Sequence, residues 1–408
     1  MNLPLLALRN VFRNRRRSAV TVVAIAVGLL AVNLFGGYIA DVYRSLQIQA
    51  VAGERLGHLT VFKEGMLTLG KLNPERYHFS AAEAATVRRT VAALPGVELV
   101  SPRLSISGLA TNGRNSTIFI GEAVVAEHMP ALRKGASAGS GGDLQAAHPD
   151  GVAVASELAS LLGYREGDTL TLLTNTLRGQ ANAMDSTIVD VFDTGNIHTN
   201  DKFIVAPVAL AEQLLDTNGA ERFVVLLDGV ERTAQARVEI QRAVVAQGLK
   251  VEVKTWRELS AFYNQVRGLF DMIFSFIAMI VFIVAGMSIA NTMAMTVVER
   301  TREIGTLQAM GLRRRGVLGL FVAEGAWLAA LGVALGVALT YAIAATINGA
   351  GISYVPPNSS MAVPLLVALQ PNVVALVGVA VVLLALSAAL LPAWRASRKP
   401  IVEALAHA

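Results

Sequence analysis

Residues 299–315 read ERTREIGTLQAMGLRRR, a charged segment wedged between two long apolar runs. Before it, residues 272–298 carry no ionisable side chain; after it the sequence is again largely apolar from Gly316, with Glu324 the one acidic or basic side chain before Arg395. A helix rises about 1.5 Å per residue and the hydrocarbon core is about 30 Å thick, so about 20 uncharged residues cross a bilayer. The segment therefore sits at a membrane face. Arg300, Arg302, Arg313, Arg314 and Arg315 indicate which face, because short loops rich in Lys and Arg stay cytoplasmic. Ile304, Leu307 and Gly311 recur at three- and four-residue spacing, which predicts a short helix along the membrane surface. By charge alone the segment is also readable as an ordinary positive-inside connector.

The composition agrees with a chain partly in lipid. Its 408 residues are 53% hydrophobic and 16% charged, with a mean hydropathy of +0.51, too apolar for a wholly soluble protein of this length. The net charge of +5 gathers at the proposed cytoplasmic ends, a topology signal rather than a nucleic-acid footprint. There is no cysteine, which excludes disulfides, thiol nucleophiles and cysteine-based metal sites.

Residues 1–17 place Leu5, Leu8 and Phe12 on one helical face with Arg9, Arg13, Arg15, Arg16 and Arg17 free to meet headgroups, an amphipathic elbow or a basic leader. Residues 18–42 form a first span, too long in its apolar part for a signal peptide and expected to remain as an anchor. Residues 43–265 carry most of the acidic residues and read as an extracytoplasmic α/β domain. Within it, Gly and Ser dominate residues 135–142, the composition of a flexible connection, and residues 135–220 are expected to form a nested, β-rich lobe. Residues 266–298 make a stalk and second span, and residues 316–346 a third span whose Gly332 and Gly336 have the spacing that favours close helix contact. An outer loop over 347–371, a fourth span over 372–392 ended by Pro392, and a cytoplasmic tail over 393–408 complete the reading. The expected fold class is an α-helical membrane protein with four transmembrane helices and a large, two-lobed α/β extracytoplasmic domain, both termini inside.

Several stretches carry a resemblance. ERTREIGTLQAMG, the Arg-rich turn after it and Glu324 within FVAEG resemble the cytoplasmic loop of MacB/FtsX-like ABC permeases; PAWRASRKPIVEALAHA is similar to that family's closing pattern, and LALRNVFRNRRRS to its elbow. LPGVELVSPRL, GYREGDTLTL and LKVEVKTWREL resemble the family's periplasmic core domain, so the likeness covers nearly the whole chain. VDVFDTGNIHTNDKFIVAP is similar to the lipoprotein-releasing permeases of the LolC/LolE type.

The resemblance implies a permease of the bacterial inner membrane, working as a dimer with a second copy or a paralogue and with a separate cytoplasmic ABC ATPase. That ATPase would dock on Glu299, Arg300, Glu303, Ile304, Gly305, Leu307 and Gly311. Its closure would move the outer domain by mechanotransmission, releasing or exporting lipoprotein or lipid-like cargo. Membrane lipids are further partners. The alternatives are MacB-like efflux of small molecules or peptides through a periplasmic adaptor, and FtsX-like signalling to a cell-wall hydrolase, against which the size of the outer domain counts.

Catalytic chemistry is expected elsewhere. No G-x-x-x-x-G-K-[ST] loop occurs, so ATP and magnesium belong to the partner ATPase and this chain needs no cofactor of its own. No H-E-x-x-H or G-x-S-x-G motif occurs, the histidines are scattered, and neither catalytic nor metal residues are assigned. Glu324 is the one carboxylate well inside a span and a functional candidate by default. It either relays protons or pairs with an arginine, and its place about two turns from Arg315 favours the pair.

Overall fold

A long uncharged run can satisfy its backbone in lipid only by closing each N–H onto its own helix, and the longest helices of the computed structural model are those runs. The described residues are 3–13, 15–133, 142–144, 148–356 and 359–398. The helices discussed are α1 (Leu3–Arg13), α2 (Arg15–Ile48), α3 (Ala81–Ala92), α4 (Ser156–Leu162), α5 (Val208–Leu215), α6 (Thr233–Val245), α7 (Ala261–Glu299), α8 (Thr301–Ala309), α9 (Arg314–Gly349) and α10 (Pro371–Ser397). The strands are β1 (Leu59–Lys63), β2 (Val97–Thr111), β3 (Ser116–Val124), β4 (Gly151–Ala155), β5 (Thr169–Asn175), β6 (Ala181–Phe192), β7 (Phe203–Pro207), β8 (Arg222–Leu227) and β9 (Val251–Thr255). Among the described residues α2, α7, α9 and α10 are long and apolar enough to cross a membrane. At 39 residues, α7 is about 58 Å long, nearly twice the hydrocarbon thickness.

One unit comprises Met1–Tyr43, Val266–Ser353 and Pro364–Ala408. Its core joins Ile25 and Leu29 of α2, Ile289 and Met293 of α7, Leu328 and Ala329 of α9, and Val381, Ala385 and Ala389 of α10. Gly332 and Gly336 both face α2: an added Cβ would lie 2.6 Å from Ile25 at the first and 3.0 Å from the Ala26 carbonyl oxygen at the second. The sequence reading ends the fourth span at Pro392, but α10 continues through it to Ser397. Proline lacks the N–H and crowds the carbonyl four residues earlier. Close packing by neighbouring helices makes this tolerable in a span, and Ala389, Ala393 and Ala396 beside it are fully buried.

The other unit, Arg44–Gln265 with Tyr354–Val363, is organised by β2. The first half of β2 pairs with β8, and β8 continues through β1 to β9, an antiparallel sheet. Helices α3 and α6 cover this sheet, packing Val87, Val91, Ile240 and Val244 on Leu59, Val61, Phe223 and Val225. Ser80 and Glu83 form a reciprocal capping box at the start of α3. The second half of β2 pairs with β3 on one side and β5 on the other. From β3 the ladder runs through β7, β4 and β6 back to β5, so six strands close on themselves. Closure leaves no free edge, and the ring encloses Leu104, Ile106, Phe119, Val152, Val154, Leu170, Leu172, Ile188 and Ile204, with Leu158 of α4 and Leu210 and Leu214 of α5 packed on them.

The β-rich lobe therefore begins earlier than the expected residue 135, since Leu104–Thr111 of β2 and all of β3 belong to it. Alternation along a strand reports which face is buried, not which strand lies beside it. Of the Gly- and Ser-rich connection expected over 135–142, residues 135–141 lie outside the described residues, as does the end of the tail, 399–408.

Where β2 passes from one sheet to the other it carries Arg103, opposite Arg222 of β8. Arg222 donates to Glu122 at 2.8 Å, whereas the Nε of Arg103 stands 3.9 Å from the same carboxylate. Arg103 is completely buried, and none of its guanidinium nitrogens finds a hydrogen-bond acceptor. Burial pulls its pKa down to about 10 against the attraction of Glu122. An under-paired buried charge opposes folding.

Three outcomes follow from these contacts. Gly332→Leu is expected to destabilise the detergent-solubilised protein by about 1–3 kcal/mol through overpacking, read as a lower thermal midpoint. Gly286→Ala, whose Cβ would meet Leu384 at 3.6 Å, is expected to leave the midpoint unchanged. Arg103→Met, which leaves Glu122 paired with Arg222, is expected to stabilise by up to about 1–4 kcal/mol. A fall in the midpoint of that variant would show that the guanidinium contributes to the fold.

Candidate functional site: the loop between α7 and α9

The loop is built as a helix because Ile304 has an apolar floor to sit on. Ile304 packs with Val297 of α7, Val317 and Phe321 of α9, and Ala393 and Ala396 of α10. Gly305 is buried beside it, and the Gln308 side chain donates to the Ser397 carbonyl. The helix stops at Gly311, whose φ of +95° lies in the left-handed region that side chains avoid. The Gly311 and Leu312 N–H groups return to the carbonyls of Gln308 and Leu307, both at 3.0 Å. This is the paired hydrogen-bond pattern with which a left-handed glycine closes a helix.

The charged residues are paired within the chain to a degree the sequence does not reveal. Arg300 Nη1 donates to Glu324 Oε1 at 2.7 Å and Arg300 Nε to Glu303 Oε2 at 2.8 Å. Glu324 is 3% exposed, and Asn10 of α1 donates to the same oxygen at 2.5 Å. Arg13 donates to Glu303 at 2.6 Å, and Arg17 engages both oxygens of Glu299 at 2.7 Å. Beside Glu324 lies a cavity of about 10 Å³ lined by Asn10, Arg17, Ser18, Thr292 and Thr296, room for about one water. Burial alone would raise the Glu303 carboxyl, but hydrogen bonds from Arg300 and Arg13 outweigh it and hold its pKa below the usual carboxylate range. Its contribution to stability is therefore present above the unfolded value and is lost as pH falls through the lower folded one.

The residues predicted to dock an ATPase thus divide. Glu299, Arg300 and Glu303 hold intramolecular partners, Ile304 and Gly305 are buried, Leu307 is half-buried, and Gly311 closes the helix while remaining exposed. The outward face of α8 consists of Arg302, Thr306 and Ala309, with the paired Glu303 at its margin, followed by Met310, which is 72% exposed. Sequence reasoning missed Asn10, Arg13 and Arg17 as partners of the loop. The available signal was charge complementarity between the basic elbow and the two glutamates, all assigned to one membrane face.

A second cavity, of about 230 Å³, lies in the sheet-bearing unit between Lys63, His78 and Glu83 on one side and Leu177, Arg178 and Asp216 on the other. Among the described residues no group of three or more His, Asp or Glu side chains gathers closely enough to hold a metal ion.

The profile of the MacB-like periplasmic core domain matches residues 18–243, more than half of the chain, and that of the FtsX-like permease C-terminal region matches residues 275–401, which include the loop. The chain belongs to the MacB/FtsX-like permease family. It is a multi-pass membrane protein with an extracytoplasmic α/β domain.

Among the relatives of this MacB/FtsX-like permease is the macrolide export ATP-binding/permease protein MacB of Shewanella oneidensis, 28% identical over 206 residues, covering 50% of this chain and 28% of that protein. The same-named protein of Nitrobacter winogradskyi is 30% identical over 210 residues, covering 51% and 31%. The chain spans less than a third of the length of either. The periplasmic region of MacB from Actinobacillus actinomycetemcomitans aligns with 53% of this chain and 95% of its own, at 10% identity and a TM-score of 0.37.

Arg300→Ala, which strands Glu324, is expected to cost about 3–5 kcal/mol, the penalty for leaving a buried partner uncompensated. Arg13→Ala, at an exposed pair, is expected to cost about 0–1 kcal/mol. Thermal unfolding of the solubilised protein reads both, and equal losses would show that the buried pair has no special weight.

Proposed function

We propose that this chain is the permease subunit of an ABC transporter whose ATPase is a separate chain docking on the cytoplasmic 299–315 loop. The observation that carries the reading is the division of α8 into a buried face and an outward one. Ile304 and Gly305 fix the helix to the ends of three spans, so a push on Arg302, Thr306, Ala309 and Met310 is delivered to those spans and not absorbed by a loose loop. An exposed methionine beside arginines suits an apolar socket with an acidic rim. The reading puts the nucleotide chemistry on that partner, in keeping with a sequence in which no G-x-x-x-x-G-K-[ST] loop is found. The names of the relatives join ATP binding and permease in one protein, which supports the coupling of this permease to an ATPase.

Closure of the ATPase pair would then move the spans and, through them, the extracytoplasmic domain, in a dimer with a second copy or a paralogue. The cargo proposed is lipoprotein or lipid-like, handled at the outer side of the inner membrane. A second reading, efflux of small molecules with a periplasmic adaptor, is favoured by the macrolide export function in the relatives' names.

The test is co-purification from native membranes. Arg302→Glu combined with Met310→Asp is expected to reduce recovery of an ATP-binding partner at least about tenfold, as hot-spot truncations do, while expression and thermal midpoint stay at wild-type values. Undiminished recovery would place the docking surface elsewhere. The proteins recovered with the wild-type chain decide the cargo, a lipoprotein supporting the first reading and an adaptor the second.

A further inference from the structure

The polar contacts of the loop close into a ring. Asn10 and Arg13 lie one turn apart on α1. Asn10 reaches Glu324 of α9, Glu324 holds Arg300, Arg300 holds Glu303 of α8, and Glu303 returns to Arg13. A chain of contacts that returns to its own starting helix does not let α8 slide past α1 unless one of its links breaks. The links are unequal. Arg300 and Glu324 are buried, so opening that side strands a charge away from water, whereas the Arg13 and Glu303 side chains are 56% and 46% exposed and separate at little cost.

From this closure we infer that Asn10 and Glu324 are positioning residues that make α1 and α8 move as one body, so that the N-terminal helix is part of the device that transmits movement from the loop. The inference rests on the permease reading above for what drives the loop, but the ring itself is a property of this chain. Asn10 matters because it is the α1 group that reaches the buried end of the ring. Leu5, Arg9 and Phe12 on the exposed side of α1, with Arg16 exposed at the start of α2, give it the apolar and basic surface of a helix seated among headgroups. Movement of the loop is thereby passed to the membrane surface as well as to the spans.

The absence of native cysteine makes a direct test clean. Spin labels are placed on Phe12→Cys, exposed on α1, and Gln308→Cys, half-buried on α8 and outside its docking face, in the full-length protein in lipid nanodiscs, alone and with the partner ATPase before and after ATP. One narrow distance distribution is expected in all three conditions. Glu324→Gln is expected to broaden it, and to lower permease-dependent ATP hydrolysis about tenfold or more, the scale of losing one charged hydrogen bond, while the ATPase still binds. Asn10→Ala, which leaves the Arg300 and Glu324 pair intact, is expected to broaden the distribution less and serves as the variant should Glu324→Gln fail to fold. Glu324→Asp is expected to recover part of the hydrolysis.

A distribution already broad in the unsubstituted protein, one that shifts with ATP, or one that stays narrow in both variants would overturn the inference. Failure of any ATPase to bind would instead remove the permease reading, with the label distances on the chain alone still deciding whether the ring holds.

Discussion

The pair between Arg300 and Glu324 fixes where the loop can be. A carboxylate 3% exposed among apolar helices is costly without a counter-charge, and the first residue beyond α7 supplies that charge at 2.7 Å. With the pair formed, α8 starts against α9, Ile304 falls onto its apolar floor, and Gly311 turns the chain back to begin α9. The order of dependence runs from a buried charge to a helix position to an outward face.

The extracytoplasmic unit depends on a comparable constraint, imposed by one strand. Because β2 belongs to an open sheet in its first half and to a closed ring in its second, neither sheet can rotate without bending that strand. Arg103, Arg222 and Glu122 stand where the bend would occur.

Much of this was legible in the sequence, and the reasons are specific. Uncharged runs as long as residues 272–298 have few fates other than a span, and the period of Ile304 and Leu307 announced a surface helix. Glu324 declared itself by being the one carboxylate well inside a span, although only the structure shows that its arginine is Arg300. The extent of the β-rich lobe was not legible, because strand pairing depends on partners far away in sequence. Nor was the end of α10, since Pro392 is a stop signal in water and only a local perturbation among packed helices. Nor was the closing role of Gly311, because residue identity alone does not show that its φ is left-handed. Exposed pairs such as Arg13 with Glu303 join residues 290 positions apart, and nothing local announces them.

Photo-cross-linking from position 310 in living cells tests the central claim most directly. A photoreactive amino acid replaces Met310, which is 72% exposed on the outward face of the loop, and the captured protein is identified by mass. An ATP-binding protein captured from this position, and not from a position on the β-rich ring such as Ile118, is the result expected if the loop is the docking site. Capture of lipid alone at Met310, with an ATP-binding protein captured from another part of the chain, would contradict it.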